Sequence, residues 1–424
     1  MSTLRFSLAV LLTSIALLFS NAHAQTYSLL HAFSGTGDGG GPMGQPILDA
    51  EGNIYGATNW GGISSCPDPG CGLIFKLDPS GVMTVLHYFT GRDGARPFGN
   101  MASDGSGNLY GVTAAGGALT DCLNGTKPEG CGVIYKLNGG TGKLTVLYRF
   151  TGGPDGAGPD SLIRDATGNL YGTTATGGMA GCGDYFSCGT IFKLDTTGKY
   201  TVLYTFTGGT DGGFPFALVT DNAGNLYGTT NVGGLLTCNH DSGYGAGCGT
   251  IFELTAAGNF KVLHAFGGKD GEEIQSNATL LLDNAGNLYS TTPFGGTPGC
   301  SGEPGCGLIY RLSSSGKETV LTTFGTGNFD AYGQNPYYGL TYDGSHNLYT
   351  TTTLGGDPFA CSGGCGTVDQ MDPAGFLTVL YTFEDNGDGK YPTYLTSDSA
   401  GNLYGDTVGG GSYDASGTIF KISR

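Results

Sequence analysis

Short apolar runs, each bounded by polar and glycine-rich turns, recur along the whole chain after residue 24. One unit shows the pattern: ALVT (217–220) ends at Asp221, and NLYGTT (225–230), GTIFEL (249–254) and FKVLHAF (260–266) follow after further turns. Runs of Val, Ile, Tyr, Phe and Thr between turn residues are typical of β-strands. The pattern therefore predicts four short strands in each unit.

The unit is repeated seven times, and the motif Asn-Leu-Tyr (Asn-Ile-Tyr in the first copy) marks each repeat. The motif asparagines are Asn53, Asn108, Asn169, Asn225, Asn287, Asn347 and Asn402. Four antiparallel strands repeated every ~40–60 residues are typical of a β-propeller blade. The small residues after the motif tyrosine would allow neighbouring sheets to approach closely. We therefore expect an all-β, seven-bladed β-propeller with four antiparallel strands per blade.

The two ends of the chain favour a closed ring. With the strands of a blade named A to D from the axis outwards, TYSLLHAF (26–33) is a D strand without its own A, B and C strands. SGTIFKISR (416–424) is a C strand without a following D strand. Pairing the two would complete the last blade and leave no open sheet edge. Residues 25–424 are thus predicted to form a single domain, closed by the N-terminal strand.

The combined repeat LxxDxxGNLYGTTxxGG, then CGTIFKL, then TVLYTFTGGxDGxxP, resembles the GloVer tandem-repeat family of exported bacterial proteins. The resemblance covers essentially the whole chain after residue 24. It implies export and a propeller-like fold, and it implies no particular activity.

The first 24 residues have the features of a secretory signal peptide: Arg5, an apolar segment at 8–19, and Ala22-His23-Ala24 as a cleavage site. The net charge of −17, without a cluster of Lys or Arg, argues against nucleic acid and anionic membranes as partners. No later segment has ~18 consecutive apolar residues. We expect an exported monomer, periplasmic or extracellular, without membrane insertion.

All twelve cysteines fall in the loops between strands B and C, two in each of six loops. The pairs are Cys66/Cys71, Cys122/Cys131, Cys182/Cys188, Cys238/Cys248, Cys300/Cys306 and Cys361/Cys365. An even number of locally paired cysteines in an exported chain predicts six disulfides. A zinc site is disfavoured because the spacing varies from loop to loop.

Two series of aspartates recur. The A–B turns contain Asp49, Asp104, Asp165, Asp221, Asp283, Asp343 and Asp398, which we expect to accept backbone hydrogen bonds within their turns. The D–A loops contain Asp38, Asp93, Asp155, Asp211, Asp270 and Asp388, with Asp330 in a longer, altered loop. The second series fits a repeated Asp-Gly turn, and Ca²⁺ binding is the alternative if the carboxylates point to the axis. No other cofactor is indicated.

Residues that differ between the repeats are candidates for ligand binding. Trp60 and Phe294 precede the Gly-Gly after strand B, and Trp60 could either stack on a sugar ring or fill a local gap. The D–A loops contribute Arg92, Arg96, Phe98, Phe214, Phe216, Lys390 and Tyr391. A mixture of arginine and aromatic side chains suits oligosaccharide or peptide recognition.

Catalytic candidates are weaker. A glycoside hydrolase needs two carboxylates roughly 5–9.5 Å apart, for which Asp160, Glu272 and Glu273 are available. A polysaccharide lyase needs a Tyr or His base beside an arginine; Tyr337 or Tyr338 could act with Arg92 or Arg96. His240, in the Cys238–Cys248 loop, is a further candidate. No nucleophile elbow, metalloprotease motif, P-loop or dinucleotide fingerprint is present.

The hypothesis that fits these features best is a binding or scaffold module. Its face formed by the B–C and D–A loops would recognise a glycan or an extracellular protein. A lyase or hydrolase acting on the same face, and a purely structural envelope protein, are the alternatives.

Overall fold

The computed structural model describes residues 25–63, 66, 69–117, 122, 130–178, 188–236, 246–271, 278–296, 305–325, 333–343, 346–411 and 416–424. The predicted signal peptide lies outside these residues. So do Cys182, Cys238, His240, Glu272, Glu273, Cys300 and Asp330.

The described residues form β-strands and no helix. Strand β1 (Thr26–Ala32) is followed by blade 1, with β2 (Gly40–Pro42), β3 (Ile47–Leu48), β4 (Ile54–Trp60), β5 (Leu73–Leu77) and β6 (Met83–Tyr88). Blade 2 contains β7 (Ala95–Ser103), β8 (Asn108–Ala115), β9 (Val133–Asn138) and β10 (Leu144–Arg149). Blade 3 contains β11 (Ala157–Arg164), β12 (Leu170–Thr176), β13 (Thr190–Leu194) and β14 (Tyr200–Thr205). Blade 4 contains β15 (Gly213–Thr220), β16 (Leu226–Val232), β17 (Thr250–Leu254) and β18 (Phe260–Ala265).

The remaining blades follow the same plan. Blade 5 contains β19 (Leu281–Leu282), β20 (Leu288–Thr292), β21 (Leu308–Leu312) and β22 (Glu318–Thr323). Blade 6 contains β23 (Gly333–Gln334), β24 (Leu340–Tyr342), β25 (Leu348–Thr352), β26 (Leu354–Gly355), β27 (Thr367–Met371) and β28 (Leu377–Thr382). Blade 7 contains β29 (Lys390–Ser397), β30 (Leu403–Gly409) and β31 (Thr418–Ser423), and β1 completes it.

Each blade is an antiparallel sheet in which chain order equals spatial order from the axis outwards, as in β7-β8-β9-β10. Blade 7 has the order β29-β30-β31-β1, so its outermost strand comes from the other end of the chain. Thr26 pairs with Ser423, Leu29 with Phe420, and Ala32 with Thr418. The predicted seven-bladed propeller and its closure by the N-terminal strand are both confirmed.

Aromatic side chains connect each blade to the next. A phenylalanine after strand D lies edge-to-face against the aromatic residue of strand C in the following blade, as Phe89 does against Tyr135 with ring centroids 5.4 Å apart. That second ring covers a glycine of strand B, Gly111, where a Cβ atom would overlap it. The contacts are Phe33–Phe75, Phe89–Tyr135, Phe150–Phe192, Phe206–Phe252, Phe266–Tyr310 and Phe383–Phe420. Blade 6 departs from this pattern, because Asp369 occupies the aromatic position of its strand C.

The A–B turns have the structural role predicted for them. In blade 4, Asp221 Oδ1 accepts the N–H groups of Ala223 and Asn225 at 2.9 Å, and Oδ2 accepts the Asn225 amide at 2.8 Å. Burial alone would raise the pKa of Asp221, but the hydrogen bonds from Asn225 outweigh it and hold the pKa below its ordinary value. The motif asparagine caps the same turn in all seven blades.

Candidate functional site

Six of the seven inner strands begin with a residue–proline pair that joins one blade to the preceding blade. The N–H of the residue before proline donates a hydrogen bond of 2.9–3.0 Å to a carbonyl of the preceding B–C loop. In five blades this carbonyl belongs to the second cysteine of the loop, and Ser416 takes its place where the ring closes. The donor–acceptor pairs are Arg96–Cys71, Gly158–Cys131, Phe214–Cys188, Asn335–Cys306, Tyr391–Cys365 and Gly41–Ser416. The corresponding residues of blade 5 lie within 272–277, outside the described residues.

A glycine follows each of these carbonyls, and the proline of the next blade packs against it. A Cβ atom on Gly72 would lie 2.7 Å from Cδ of Pro97, and one on Gly366 would lie 2.6 Å from Cδ of Pro392. The close approach explains the glycine at these six joints. After Cys248, where no such proline follows, the carbonyl of Thr230 leaves no room for a Cβ atom on Gly249. The cysteine, the glycine and the next residue–proline pair therefore form one rigid joint, which we call the blade joint.

Three disulfides are described in full: Cys66–Cys71, Cys122–Cys131 and Cys361–Cys365. Cys188, Cys248 and Cys306 are also disulfide-bonded, and no described cysteine is free. Their predicted partners Cys182, Cys238 and Cys300 lie outside the described residues. Since disulfides form in oxidising environments, these bonds favour an exported protein.

The residue before proline has a left-handed backbone conformation in all six joints. The φ angles are 53° at Arg96, 57° at Phe214, 59° at Asn335 and 57° at Tyr391, matching 57° at Gly41 and 59° at Gly158. Glycine adopts this conformation without strain, whereas other residues do so at a cost of ~1–2 kcal/mol. A following proline restricts the backbone further. Three of the sequence candidates, Arg96, Phe214 and Tyr391, thus occupy one strained position, repeated around the axis.

Asn335 has a structural reason to be at this position. Its side-chain amide donates a hydrogen bond of 3.1 Å to the carbonyl of Pro293 in blade 5, and asparagine tolerates the left-handed conformation better than most residues. Arg96 is exposed, and Phe214 and Tyr391 are partly exposed. The ring of Phe214 lies 5.1 Å from that of Phe216.

The other candidates for ligand binding have packing roles or stand apart. Phe216 is 1% exposed and Phe294 is 8% exposed, so both belong to the core. The Trp60 ring lies on the backbone of Gly40 and Gly41, where any Cβ atom would overlap it, which favours the gap-filling interpretation. Of the remaining candidates, Arg92 is exposed and Phe98 is partly exposed. The Nζ atom of Lys390 forms an ion pair with Oδ2 of Asp385 at 2.8 Å.

The D–A loop aspartates close their own turns. Asp93 Oδ1 accepts the N–H of Thr90 at 2.8 Å, and its Oδ2 lies 2.9 Å from Nε2 of His87. A histidine or tyrosine of strand D contacts the loop carboxylate in each of six blades: His31–Asp38, His87–Asp93, Tyr148–Asp155, Tyr204–Asp211, His264–Asp270 and Tyr381–Asp388. Among the described residues, no group of three or more His, Cys, Asp or Glu could hold a metal ion.

The same face carries exposed apolar side chains that the sequence patterns did not single out. Phe359 is 95% exposed, two residues before the Cys361–Cys365 disulfide. In the B–C loop of blade 4, Leu235 and Leu236 are 47% and 50% exposed. The only signal in the sequence was their position next to a cysteine pair.

The catalytic candidates among the described residues do not assemble into one constellation. Tyr338 lies in blade 6 against Tyr394 of blade 7, with ring centroids 5.2 Å apart, and burial raises its pKa. Tyr337 contacts Phe294 instead. Arg96 lies in blade 2, and Arg92 lies in the loop that leads into it. Around the ring, two blades on one side and three on the other lie between blade 2 and blade 6. Asp160 is buried at the axis, in the middle of β11.

The fold and the ring of blade joints define the class: a disulfide-stapled, seven-bladed β-propeller. The family model of the Gloeobacter/Verrucomicrobia repeat matches residues 16–240 and 235–424. The chain belongs to this family. No curated protein matches the chain in sequence.

Solved structures of other propellers share the fold. One is a streptogramin B lyase, with 14% identity and a TM-score of 0.59, covering 94% of this chain and 97% of that one. Another is an oligogalacturonate lyase from Vibrio parahaemolyticus, with 11% identity and a TM-score of 0.57, covering 94% and 93%. At this level of identity the similarity concerns the fold alone. Among the described residues there is no helix that is long and apolar enough to span a membrane.

Proposed function

We propose that the protein is an exported binding module, periplasmic or extracellular, whose B–C/D–A loop face recognises a glycan. An extracellular protein is the second candidate partner. The observation that carries the proposal is the left-handed conformation of Arg96, Phe214 and Tyr391. Backbone strain of this kind persists where the surrounding structure enforces it, and it is concentrated at functional sites.

The internal comparison between blades strengthens this argument. Blades 1 and 3 carry glycine at the same position, so the joint forms equally well without a side chain. In three other blades this strained position is occupied by an arginine, a phenylalanine and a tyrosine. These are side chains that dominate binding surfaces, and aromatic rings stack well on sugar faces. The exposed Phe359 and Leu236 extend the same face outwards.

An enzyme on this face is the alternative, and the fold is compatible with it, since two of the similar propellers are lyases by name. The chain's own residues support it less. A general base should have a pKa near the working pH, whereas burial raises the pKa of Tyr338 well above that range. The arginines that would neutralise a sugar acid lie in a distant blade. Glu272 and Glu273, the hydrolase candidates, lie outside the described residues.

A glycan array with the purified, oxidised 25–424 protein tests the proposal, followed by product assays for hydrolysis and elimination on every hit. The decisive variants are Phe214→Gly and Tyr391→Gly, which should each weaken binding of the hits by more than about tenfold. Both remove backbone strain and some packing, so the free energy of unfolding should change by no more than about 1 kcal/mol.

The matched control is His346→Gly. His346 also has a left-handed backbone (φ 66°) but lies in an A–B turn on the opposite face, at a position that is glycine in the other blades. This variant should bind like the unmodified protein. Equal binding by the Phe214 and Tyr391 variants would refute the assignment of the face. An array without hits would leave an extracellular protein or a structural role as the function, and turnover of a hit would establish the enzyme.

A further inference from the structure

A second site lies on the axis of the ring, away from the loop face. The inner strands enclose a cavity of about 360 Å³ lined by residues of six blades. Its lining follows β11 from Asp160, in the middle of the strand, to Arg164, directly before the A–B turn. The cavity therefore extends from the centre of the ring towards the A–B turns, the face opposite the blade joints. Its volume is within the range of small-molecule sites.

The walls of this cavity are apolar and polar in similar measure. Met101, Ile163 and Val219 are partly exposed apolar side chains of its lining, whereas three neighbouring leucines are almost completely buried. Gln45 and Asn100 are polar but bond mainly to protein groups: Gln45 donates its amide to the carbonyl of Leu395 at 3.0 Å, and Asn100 accepts the Gln45 N–H at 2.8 Å.

Asp160 lies at the inner end of the cavity. Its side chain is 8% exposed, and its buried Oδ1 atom has no hydrogen-bond partner. An unpaired carboxyl in apolar surroundings is costly and stays protonated unless a cation pairs with it. Burial accordingly raises the pKa of Asp160 well above its ordinary value. The position after proline is Met43, Phe98, Phe216, Tyr337 or Thr393 in other blades, so the repeat itself does not require an acid.

Aromatic and acidic groups surround this carboxyl. Tyr394 lines the cavity beside Asp160, and Tyr338 lies behind it with ring centroids 5.2 Å apart. Burial, then the charges of Asp160, Tyr338 and Asp406, raise the pKa of Tyr394. Asp406 accepts a hydrogen bond from Thr393. Arg164, the cation among the lining residues, lies at the opposite end of the cavity with its guanidinium over Tyr110, 5.7 Å from the ring centre.

We propose that this axial cavity binds a small organic ammonium ion, with the charged nitrogen at Asp160 and Tyr394 and the apolar body against Met101, Ile163 and Val219. A cation would supply the missing partner of Asp160, and aromatic faces add favourable cation–π attraction. The three apolar side chains would contact an alkyl or aryl group. The site is independent of the proposed glycan-binding face.

The test is isothermal titration calorimetry, which measures the affinity of the 25–424 protein for butylamine, cyclohexylmethylamine and 2-phenylethylamine. The alcohols of the same shape, butanol, cyclohexylmethanol and 2-phenylethanol, serve as neutral probes. We expect at least one amine to bind at least tenfold more tightly than its alcohol. Binding should weaken at least tenfold in Asp160→Asn, which keeps the shape of the side chain, and in Asp160→Thr, which installs the residue that blade 7 carries as Thr393.

The matched control is Asp195→Asn, which removes a carboxylate from an exposed turn of the same blade. It should bind the amines like the unmodified protein, and thermal unfolding should show that all three variants are folded. The proposal is overturned if no amine binds at millimolar concentration, if each alcohol binds as tightly as its amine, or if folded Asp160→Asn and Asp160→Thr retain the affinity.

Discussion

Asp369 should make the stability of the protein depend on pH in a direction unusual for an aspartate. Its side chain is completely buried, its Oδ1 has no hydrogen-bond partner, and Thr367 donates to Oδ2. Burial raises the pKa of Asp369 from 3.8 to about 7, against the smaller effect of the Thr367 hydrogen bond. Because the folded pKa is raised, the folded state retains the proton that the unfolded chain releases. Stability is therefore complete below about pH 4 and decreases as the pH rises to about 7.

The size of the effect follows from the two pKa values. Each pKa unit corresponds to about 1.4 kcal/mol, so the change from 3.8 to about 7 corresponds to about 4 kcal/mol of unfolding free energy. The perturbation that isolates it is Asp369→Asn, which has nearly the same shape and cannot ionise. Urea unfolding of both proteins between pH 4 and pH 8 should give a difference in unfolding free energy that changes by about 4 kcal/mol, with the variant gaining at high pH. Burial also raises the pKa of Asp160 and Asp406. Both proteins contain these two residues, so their contributions cancel in the difference between the unfolding free energies.

A second variant tests the structural origin of the effect. In the other blades an aromatic residue of strand C covers a small residue of strand B, whereas Asp369 is paired with Thr350. Thr350→Gly combined with Asp369→Phe would restore the aromatic contact with Phe324, which is completely buried at the end of the preceding blade. This double variant should be more stable than the unmodified protein at pH 8. A pH-independent difference for Asp369→Asn would refute the reasoning, since it would mean that the carboxyl ionises in the folded state as it does in water.

Three further predictions concern the fold. Replacing Cys361 and Cys365 by serine should lower the unfolding free energy by roughly 2 kcal/mol, the loop-closure contribution of so short a loop, measured by urea unfolding; an unchanged midpoint would contradict it. Removing residues 25–33 should expose the edge of β31 and broaden thermal unfolding, and a synthetic 25–33 peptide should restore it; the reasoning fails if the truncated protein unfolds normally. The unfolding free energy should fall as the pH drops below about 4, because hydrogen bonds keep the pKa of the A–B turn aspartates low in the folded state. In Asp221→Asn this fall should be smaller, and an equal fall would show that Asp221 does not contribute to it.

The architecture was predictable because each repeat contains the same turn residues and the same pattern of apolar strand residues. The sequence placed the last three strands of blade 4 within two residues of β16, β17 and β18. The inner strand was predicted too short: ALVT (217–220) is only the second half of β15 (Gly213–Thr220). The strand continues through Pro215 because β15 is the edge strand of its sheet, where proline is tolerated. A bulge follows between Phe216 and Leu218, and bulges have no clear signature in hydrophobic patterns.

The candidate sites were less predictable, because side-chain direction at the start of an inner strand depends on the left-handed residue before proline. Phe214 and Phe216 looked equivalent in the sequence, but the first is partly exposed in the joint and the second is in the core. Alignment of the repeats on proline would have placed Arg96, Phe214 and Tyr391 at one position. It would also have shown Tyr338 and Tyr394 at one position, where blades 1 to 4 have glycine, serine or alanine. The left-handed conformation itself could not be foreseen, since residues before proline usually adopt extended backbone.

The blade joint explains why the disulfides and the candidate binding face occur together. The carbonyl that accepts the N–H of Tyr391 belongs to Cys365, and the carbonyl that accepts the N–H of Phe214 belongs to Cys188. Cys365 is cross-linked to Cys361 within its own loop, and Cys188 is disulfide-bonded as well. Each disulfide therefore fixes the acceptor that holds a strained residue of the next blade, and the strain could relax if the loop moved. The disulfides thus restrict the same side chains that would contact a ligand. This restriction lowers the conformational entropy that these side chains would lose on binding.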